Sequence, residues 1–286
     1  MTGSPRRITS ASNPHFRALV KLQQSSRERR KSGLSLLDGV HLLAAYLDHA
    51  GSPEEIVVSD SGAAVEEIAK TVRRAGVMPL VVSDGLFREL SSVTTPTGVI
   101  AIVRTPKPDA LPQVPGPCVM LEDIQDPGNL GSILRSAAAA GVYEIYLSRH
   151  SVHAWSPRVI RAGMGAHFML RIYEQVDLET VIERCRGPVL AATMDAQTPL
   201  YSADLTGDVA LLFGNEGAGL SAEVRRRAHR AIQIPMRGPA ESLNVAAAAA
   251  ICLFERVRQL GPPFGGPPRP VHDSEEPPFL APPTRC

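Results

Sequence analysis

The stretch Leu121-Glu-Asp-Ile-Gln-Asp-Pro-Gly-Asn-Leu-Gly-Ser-Ile-Leu-Arg-Ser-Ala137 holds a complete structural transition. Cys118 to Ile124 is a largely apolar run, the pattern of a strand buried on both faces. Asp126-Pro-Gly-Asn129 is a turn, because proline pre-sets φ and glycine and asparagine accept tight-turn geometry. Leu130, Ile133, Leu134 and Ala137 then recur at helical spacing, giving a helix over 130–140. Open parallel sheets are built from such units and bind ligands in the crevice beyond the strand ends. Asn129 stands where a side chain caps a helix, and alone it would be no more than that. Arg135, beside Ile133, Leu134 and Ala137, is either a surface ion-pair partner or an arginine near the buried side that needs an anion.

The alternation continues on the C-terminal side. Strands are expected at Glu144–Ser148, Phe168–Ile172, Val189–Thr193, Val209–Phe213 and Ala231–Ile234. Helices are expected at Pro157–Gly163, Leu178–Cys185, Ser221–Ala228 and Leu243–Gln259. Near-continuous apolar strands between helices predict a mostly parallel sheet covered on both faces. On the N-terminal side a helix is expected over Pro14–Lys31, a strand and turn at Leu34–Gly39 and a helix at Val40–His49. Strands at Glu55–Ser59, Val77–Val82 and Gly98–Val103, with helices at Ala63–Ala75 and Asp84–Leu90, complete a small α/β domain over 14–104. Residues 105–117 hold five prolines, which stiffen a chain and cannot donate to a sheet, so 105–116 is a linker and 117–260 a second domain. Residues 1–13 read as a flexible basic arm. The tail from Gly261, with nine prolines, three acids and little periodic apolar content, reads as disordered.

The net charge of +1 conceals a polarised distribution. Residues 1–31 carry eight Lys/Arg against Glu28 alone, and the rest of the chain is net acidic. A basic segment of this kind is either a solvated helix or a patch for phosphates, with Arg27, Arg29, Arg30 and Lys31 at its centre. No apolar stretch approaches the ~20 residues of a membrane span, and no apolar core of a secretory signal follows the first basic residues, which predicts a cytoplasmic protein. The four cysteines form no C-x-x-C pair, so neither a zinc site nor a disulfide framework is expected.

Two further motifs follow the first. Leu211-Leu-Phe-Gly-Asn-Glu-Gly-Ala-Gly-Leu-Ser221 takes an apolar strand into a glycine-rich loop ahead of a helix. Its G-x-x-G-x-G order is not the G-x-G-x-x-G of dinucleotide folds, and it lacks the Lys-Ser/Thr of a P-loop, so a nucleoside held by backbone groups fits it better than a pyrophosphate. Glu216 within that loop can accept from a ribose or an arginine, or simply face solvent. Ile234-Pro-Met-Arg-Gly-Pro-Ala-Glu-Ser-Leu-Asn-Val-Ala-Ala-Ala-Ala-Ala250 ends a strand at a loop, after which Ser242 can cap a helix whose first turn holds Asn244. Ala246–Ala250 allows close approach of another segment, or merely favours helix.

In this order and spacing the three motifs resemble the SpoU (TrmH-like) family of RNA 2′-O-ribose methyltransferases, of the SPOUT class. Arg29-Arg-Lys31, Leu36-Leu-Asp-Gly39 and Thr94-Thr-Pro-Thr-Gly-Val99 resemble the family's L30e-like substrate-binding domain, with Asp38 where glutamate is more usual. The nearest branch methylates a guanosine of 23S rRNA. A tRNA-directed branch, a resistance-conferring methylation and an inactive RNA-binding assembly factor are the competing readings, and the glycine order speaks against a nicotinamide enzyme. The resemblance implies an α/β-knot domain with a deep trefoil knot, a homodimer, and S-adenosyl-L-methionine as cofactor, without metal or membrane. The helix Leu243–Gln259 is the candidate interface element, with Ile251, Cys252, Phe254 and Val257 on its apolar face. The resemblance implies Asn129, Arg135, Glu216, Ser242 and Asn244 around the reacting centre. For the cofactor it implies Thr193, Phe213, Gly214, Asn215, Gly217, Ile234, Met236, Ser242, Leu243 and Ala246.

Overall fold

The structure, a computed structural model, describes residues 6–108, 110–239 and 241–261. The disordered tail expected beyond Gly261 therefore lies outside the described residues, as does the start of the expected basic arm.

Two sheets organise the chain. The first has β1 (Arg6–Ile8), β2 (Leu34–Asp38), β3 (Glu55–Ser59), β4 (Leu80–Val82) and β5 (Val99–Arg104), in the order β1-β4-β3-β5-β2. β1, β4 and β3 are parallel, and β5 runs antiparallel to both β3 and β2. Successive strand side chains point to opposite faces, and β5 divides accordingly. Ile100 and Ile102 join the core beneath α1 (Pro14–Gln24) and α5 (Asp84–Leu90), whereas Val99, Ala101 and Val103 face α3 (Val40–His49) and α4 (Glu66–Ala75).

Arg6–Ile8 corrects the reading of 1–13 as a flexible arm, because these residues add a parallel edge strand to β4 with Ile8 buried. The single helix expected over Pro14–Lys31 is also two, α1 and α2 (Ser26–Ser32). Ser25 between them is extended, and its hydroxyl accepts from the Glu28 amide to start α2.

The second sheet is parallel throughout: β6 (Cys118–Leu121), β7 (Glu144–Ser148), β8 (Arg171–Val176), β9 (Val189–Ala192), β10 (Thr198–Pro199), β11 (Ala210–Phe213) and β12 (Arg230–Gln233), in the order β10-β12-β9-β11-β6-β7-β8. On one face α6 (Pro127–Ala139), α7 (Pro157–Gly163) and α10 (Val245–Gln259) cover Val119, Leu121, Leu211 and Phe213. On the other, α8 (Leu178–Arg184) and α9 (Ala222–Arg227) cover Met120, Tyr146 and Leu212. The strand expected at Phe168–Ile172 begins only at Arg171. Ala166–Met169 is a 3-10 turn, held where the fully buried His167 ring bonds the Ala154 carbonyl at 2.9 Å. One apolar core runs through both α/β units, and Tyr46 meets Phe168 edge-on with ring centroids 5.2 Å apart. No helix among the described residues is long and apolar enough to cross a membrane.

Candidate active site

β6 and β11 are neighbours in register, Leu121 opposite Phe213, and the Glu122 amide donates to the Phe213 carbonyl at 2.9 Å. The first two motifs therefore leave the sheet side by side at their strands' C-terminal ends. Here the chain departs toward β7 on one side and, beyond β9, toward β12 on the other, the kind of crevice in which open parallel sheets bind ligands.

The first turn is tightly held. Asp123 adopts φ 52°, a left-handed conformation uncommon for a residue with a Cβ. Its amide donates to Ser148 Oγ at 2.8 Å, that hydroxyl donates to Asp123 Oδ1 at 2.5 Å, and its carbonyl accepts from Asn215 Nδ2 at 2.8 Å. Asp126, not Asn129, is the N-cap of α6: its Oδ1 accepts from the Asn129 amide at 2.8 Å, and Pro127 takes the first helical position, where a missing N–H costs nothing.

The Asn129 side chain is thereby released from capping. Its Nδ2 donates to Glu216 Oε1 at 3.0 Å, and its Oδ1 accepts from Asn244 Nδ2 at 2.8 Å. Glu216 also takes the Gln125 and Asp126 amides at 3.2 and 3.1 Å. Partial burial acts to raise its pKa, but the hydrogen bonds from Asn129 and the backbone outweigh it and hold the carboxyl below its ordinary value. Glu216 thus reaches back to motif one while staying exposed.

Asn244, not Ser242, caps α10, its Oδ1 accepting from the Ala246 and Ala247 amides at 2.9 and 3.3 Å. The helix accordingly starts at Val245 and not at Leu243. One residue from each motif, Asn129, Glu216 and Asn244, forms a continuous chain of side-chain hydrogen bonds.

Arg135 and Ser242 do not join that chain. Both are exposed, and among the described residues neither makes a hydrogen bond or ion pair within the protein. Arg135 therefore lies on the open side of α6, neither near the helix's buried side nor in a surface ion pair.

The loop of motif two closes on itself. Asn215 and Gly219 exchange two 3.0 Å backbone bonds, and Asn215 Oδ1 accepts from the Gly217 and Ala218 amides at 2.9 and 3.0 Å. Gly214 is required by close approach, since a Cβ there would stand 2.3 Å from the Gly219 carbonyl carbon and 2.4 Å from the Leu220 nitrogen. Ile234, Met236 and Leu243 line a cavity of about 330 Å³ with Tyr201, Pro235 and Ile251. Among the described residues, 234–239 and 241–243 make no hydrogen bond, which leaves their peptide groups free for a ligand. Thr193 follows β9, its amide donating to the Ile232 carbonyl at 2.9 Å, and it does not line that cavity. An apolar cavity bordered by free peptide groups fits a nucleoside cofactor. Phe213 departs from the expected cofactor set: its ring is in the core, which leaves only its main chain for a ligand. Likewise the Ala246 amide is already taken by the Asn244 cap.

Of the four basic residues expected on RNA, Arg27, Arg30 and Lys31 are exposed. Arg29 corrects that set. It is buried, and its Nη1 donates to the Leu22 and Gln23 carbonyls at 2.8 and 2.7 Å, closing the C-terminus of α1. Among the described residues no group of three His, Cys, Asp or Glu is placed to hold a metal ion.

The chain is similar to known proteins over most of its length. Residues 116–254 match the SpoU rRNA Methylase family, and residues 13–101 match the MRM3-like substrate binding domain. An uncharacterized tRNA/rRNA methyltransferase of Synechocystis is 33% identical over 269 residues, spanning 91% of this chain and 96% of its own. The chain belongs to the SpoU rRNA methylase family. The 23S rRNA (guanosine(2553)-2′-O)-methyltransferase RlmP of Bacillus subtilis is 27% identical, over 87% of this chain and 98% of its own. The AdoMet-bound rRNA methyltransferase of Sinorhizobium meliloti superposes with a TM-score of 0.77 at 30% identity, covering 89% of this chain and 98% of that one. Members of the SpoU family that act on the ribose hydroxyl thus match both halves of the chain, including the half that holds α2.

Proposed function

We propose that this SpoU-family chain transfers a methyl group from S-adenosyl-L-methionine to a ribose 2′-hydroxyl of structured RNA, a guanosine of 23S rRNA in the cytoplasm. The observation that carries the reading is the Asn129 amide, which links Glu216 to Asn244, the residue that follows Leu243 of the cavity lining. The near full-length similarity to RlmP of Bacillus subtilis supports the choice of RNA.

The cofactor supplies a methyl group on a sulfonium, already a good leaving group. What remains for the chain is to orient the ribose and help its hydroxyl lose a proton. Ile234, Met236 and Leu243 hold the cofactor by their free peptide groups, with Thr193, Gly214, Asn215, Gly217 and Ser242 around them. Arg135, exposed and unpaired, is free to donate to O2′ as negative charge develops there. A guanidinium is a poor proton acceptor, so its role is to stabilise the alkoxide, with a substrate phosphate receiving the proton. Asn129 and Glu216 keep the turn that starts α6 in place.

The segment carrying motif three passes through the loop before it, making the trefoil knot. The small side chains of Ala246–Ala250 support such close threading. The enzyme is a homodimer through α10, where Phe254 and Leu260 are about half exposed and Leu243 and Tyr201 continue the apolar surface. The first domain, residues 14–104, holds the RNA through Arg27, Arg30 and Lys31. The test is to map 2′-O-methyl groups in rRNA and tRNA from strains with and without the gene. One 23S rRNA guanosine losing its methyl group supports the reading, and complete maps that do not differ refute it.

A further inference from the structure

The acidic majority of the chain contains one strongly basic interval. Between Asp126 and Glu174 the only acid is Glu144, against Arg135, Arg149, Arg158, Arg161 and Arg171. Glu144 pairs with Arg171 at 3.0 Å. The other four arginines are exposed, and among the described residues none has an ion-pair or hydrogen-bond partner. On α9, by contrast, Arg225, Arg226 and Arg227 are each matched by carboxylates of Asp195, Glu223 and Glu179.

The fold gathers the unmatched four. α7 buries Val159, Ile160 and Gly163, which leaves Arg158 and Arg161, three residues apart, together on its outer face. α6 lies directly against α7, since a Cβ on Gly131 would meet Ala162 Cβ at 2.4 Å, and Arg135 is one turn beyond Gly131. Arg149 follows the end of β7, and the carbonyl of its neighbour His150 accepts from Gln125 Nε2 at 2.6 Å, inside the turn that receives Glu216. At its other end α7 packs on β2 of the first unit. There the buried His153, just before the Ser156 cap of α7, is pushed well below its ordinary pKa, first by burial and then by Arg30 and Arg29 of α2. α2 packs on β2 as well, so its exposed cations and those of α7 flank the same strand.

We propose that Arg149, Arg158 and Arg161 form a phosphate-binding track over α7 that carries the RNA from α2 to the site at Asn129. Unmatched like charges on one surface repel one another, and a phosphate backbone relieves that repulsion while releasing counterions from the RNA. The track rests on the proposed function for the identity of its substrate.

The test measures binding of deproteinised bacterial 23S rRNA across a series of salt concentrations, with S-adenosyl-L-methionine binding measured by calorimetry on the same proteins. The Arg158→Gln/Arg161→Gln pair lowers RNA affinity by about 10-fold near 0.1 M salt and flattens the log–log salt slope by roughly two, Arg149→Gln by roughly one. Arg158→Lys/Arg161→Lys keeps the wild-type slope, and cofactor affinity is unchanged throughout. A Gln pair with wild-type RNA affinity and slope overturns the track, as does loss of RNA binding in the Lys pair to the level of the Gln pair. A wild-type protein that shows the arginine-dependent slope but transfers no methyl group leaves the track standing and removes the proposed function.

Discussion

Asn129 Nδ2 donates to Glu216 Oε1 at 3.0 Å across 87 residues of sequence, and this bond fixes the orientation of two amides. A carboxylate only accepts, so the Asn129 nitrogen must face Glu216 and its oxygen must face Asn244. Asn244 then donates with its nitrogen and caps α10 with its oxygen. Asn129→Asp places a carboxylate oxygen where the donor was, against Glu216. The expected result is a loss of roughly 1–3 kcal/mol in stability and a large fall in turnover, read from thermal unfolding and single-turnover methyl transfer. Near wild-type values for both would show that the amide chain is incidental.

Gly214 and Gly217 belong to one loop but differ in surroundings. The Cβ position of Gly214 is filled by the backbone of Gly219 and Leu220, whereas a Cβ on Gly217 meets only Asn215 Oδ1, at 3.7 Å. Gly214→Ala should cost about 1–3 kcal/mol and weaken S-adenosyl-L-methionine binding, because backbone cannot yield as a side-chain end can. Gly217→Ala should bind the cofactor nearly as the parent does. Calorimetry on the two variants makes the comparison, and equal behaviour contradicts it.

Within Arg29-Arg-Lys31, position separates structure from recognition. Arg29→Ala removes two charge-assisted bonds to the carbonyls of Leu22 and Gln23 and should destabilise the protein by roughly 1–3 kcal/mol. Arg30→Gln and Lys31→Gln should leave the melting temperature within experimental scatter while each lowers the salt slope of RNA binding by about one. Melting curves and salt titrations of the three variants distinguish these effects.

The two buried histidines set an acid limit on stability. Burial holds His153 down to about 3 and His167 down to about 4, against an ordinary value of 6.5. Above pH 6.5 neither is protonated in the folded or the unfolded chain, and their contribution to stability is complete. As pH falls below 6.5 the unfolded chain takes up protons that the folded one refuses, so stability declines down to pH 4 and 3, by at most about 1.4 kcal/mol per pH unit per histidine. His167→Gln, which can still donate to the Ala154 carbonyl, should flatten the decline between pH 6.5 and 4 in a urea-unfolding series.

Much of the fold could be read in advance because its strands are near-continuous apolar runs. β7 and α7 fall where the sequence places them, and β6, β9, β11 and β12 differ by one to three residues at their ends. β1 escaped notice because Arg6-Arg-Ile8 is too short and too basic to signal a strand, and only the edge of β4 gives it a partner. Ser25 hides a helix break that local pattern alone does not display. In the site, Asn129 and Asn244 were both recognisable as polar groups at helix starts, but their roles depend on which atom faces which partner. Asp126 and Asn244 do the capping assigned to Asn129 and Ser242. The positive φ of Asp123 and the hold on it by Ser148 and Asn215 had no sequence signal, since they arise from contacts between separate strand ends.

The most direct measurement incubates the purified protein with methyl-labelled S-adenosyl-L-methionine and 23S rRNA, digests the RNA to nucleosides and identifies the labelled product by mass and by resistance of its phosphodiester to alkali. The expected result is label in 2′-O-methylguanosine alone, lost in Arg135→Ala while cofactor and RNA binding persist. Label on a base, or transfer undiminished in Arg135→Ala, would contradict it.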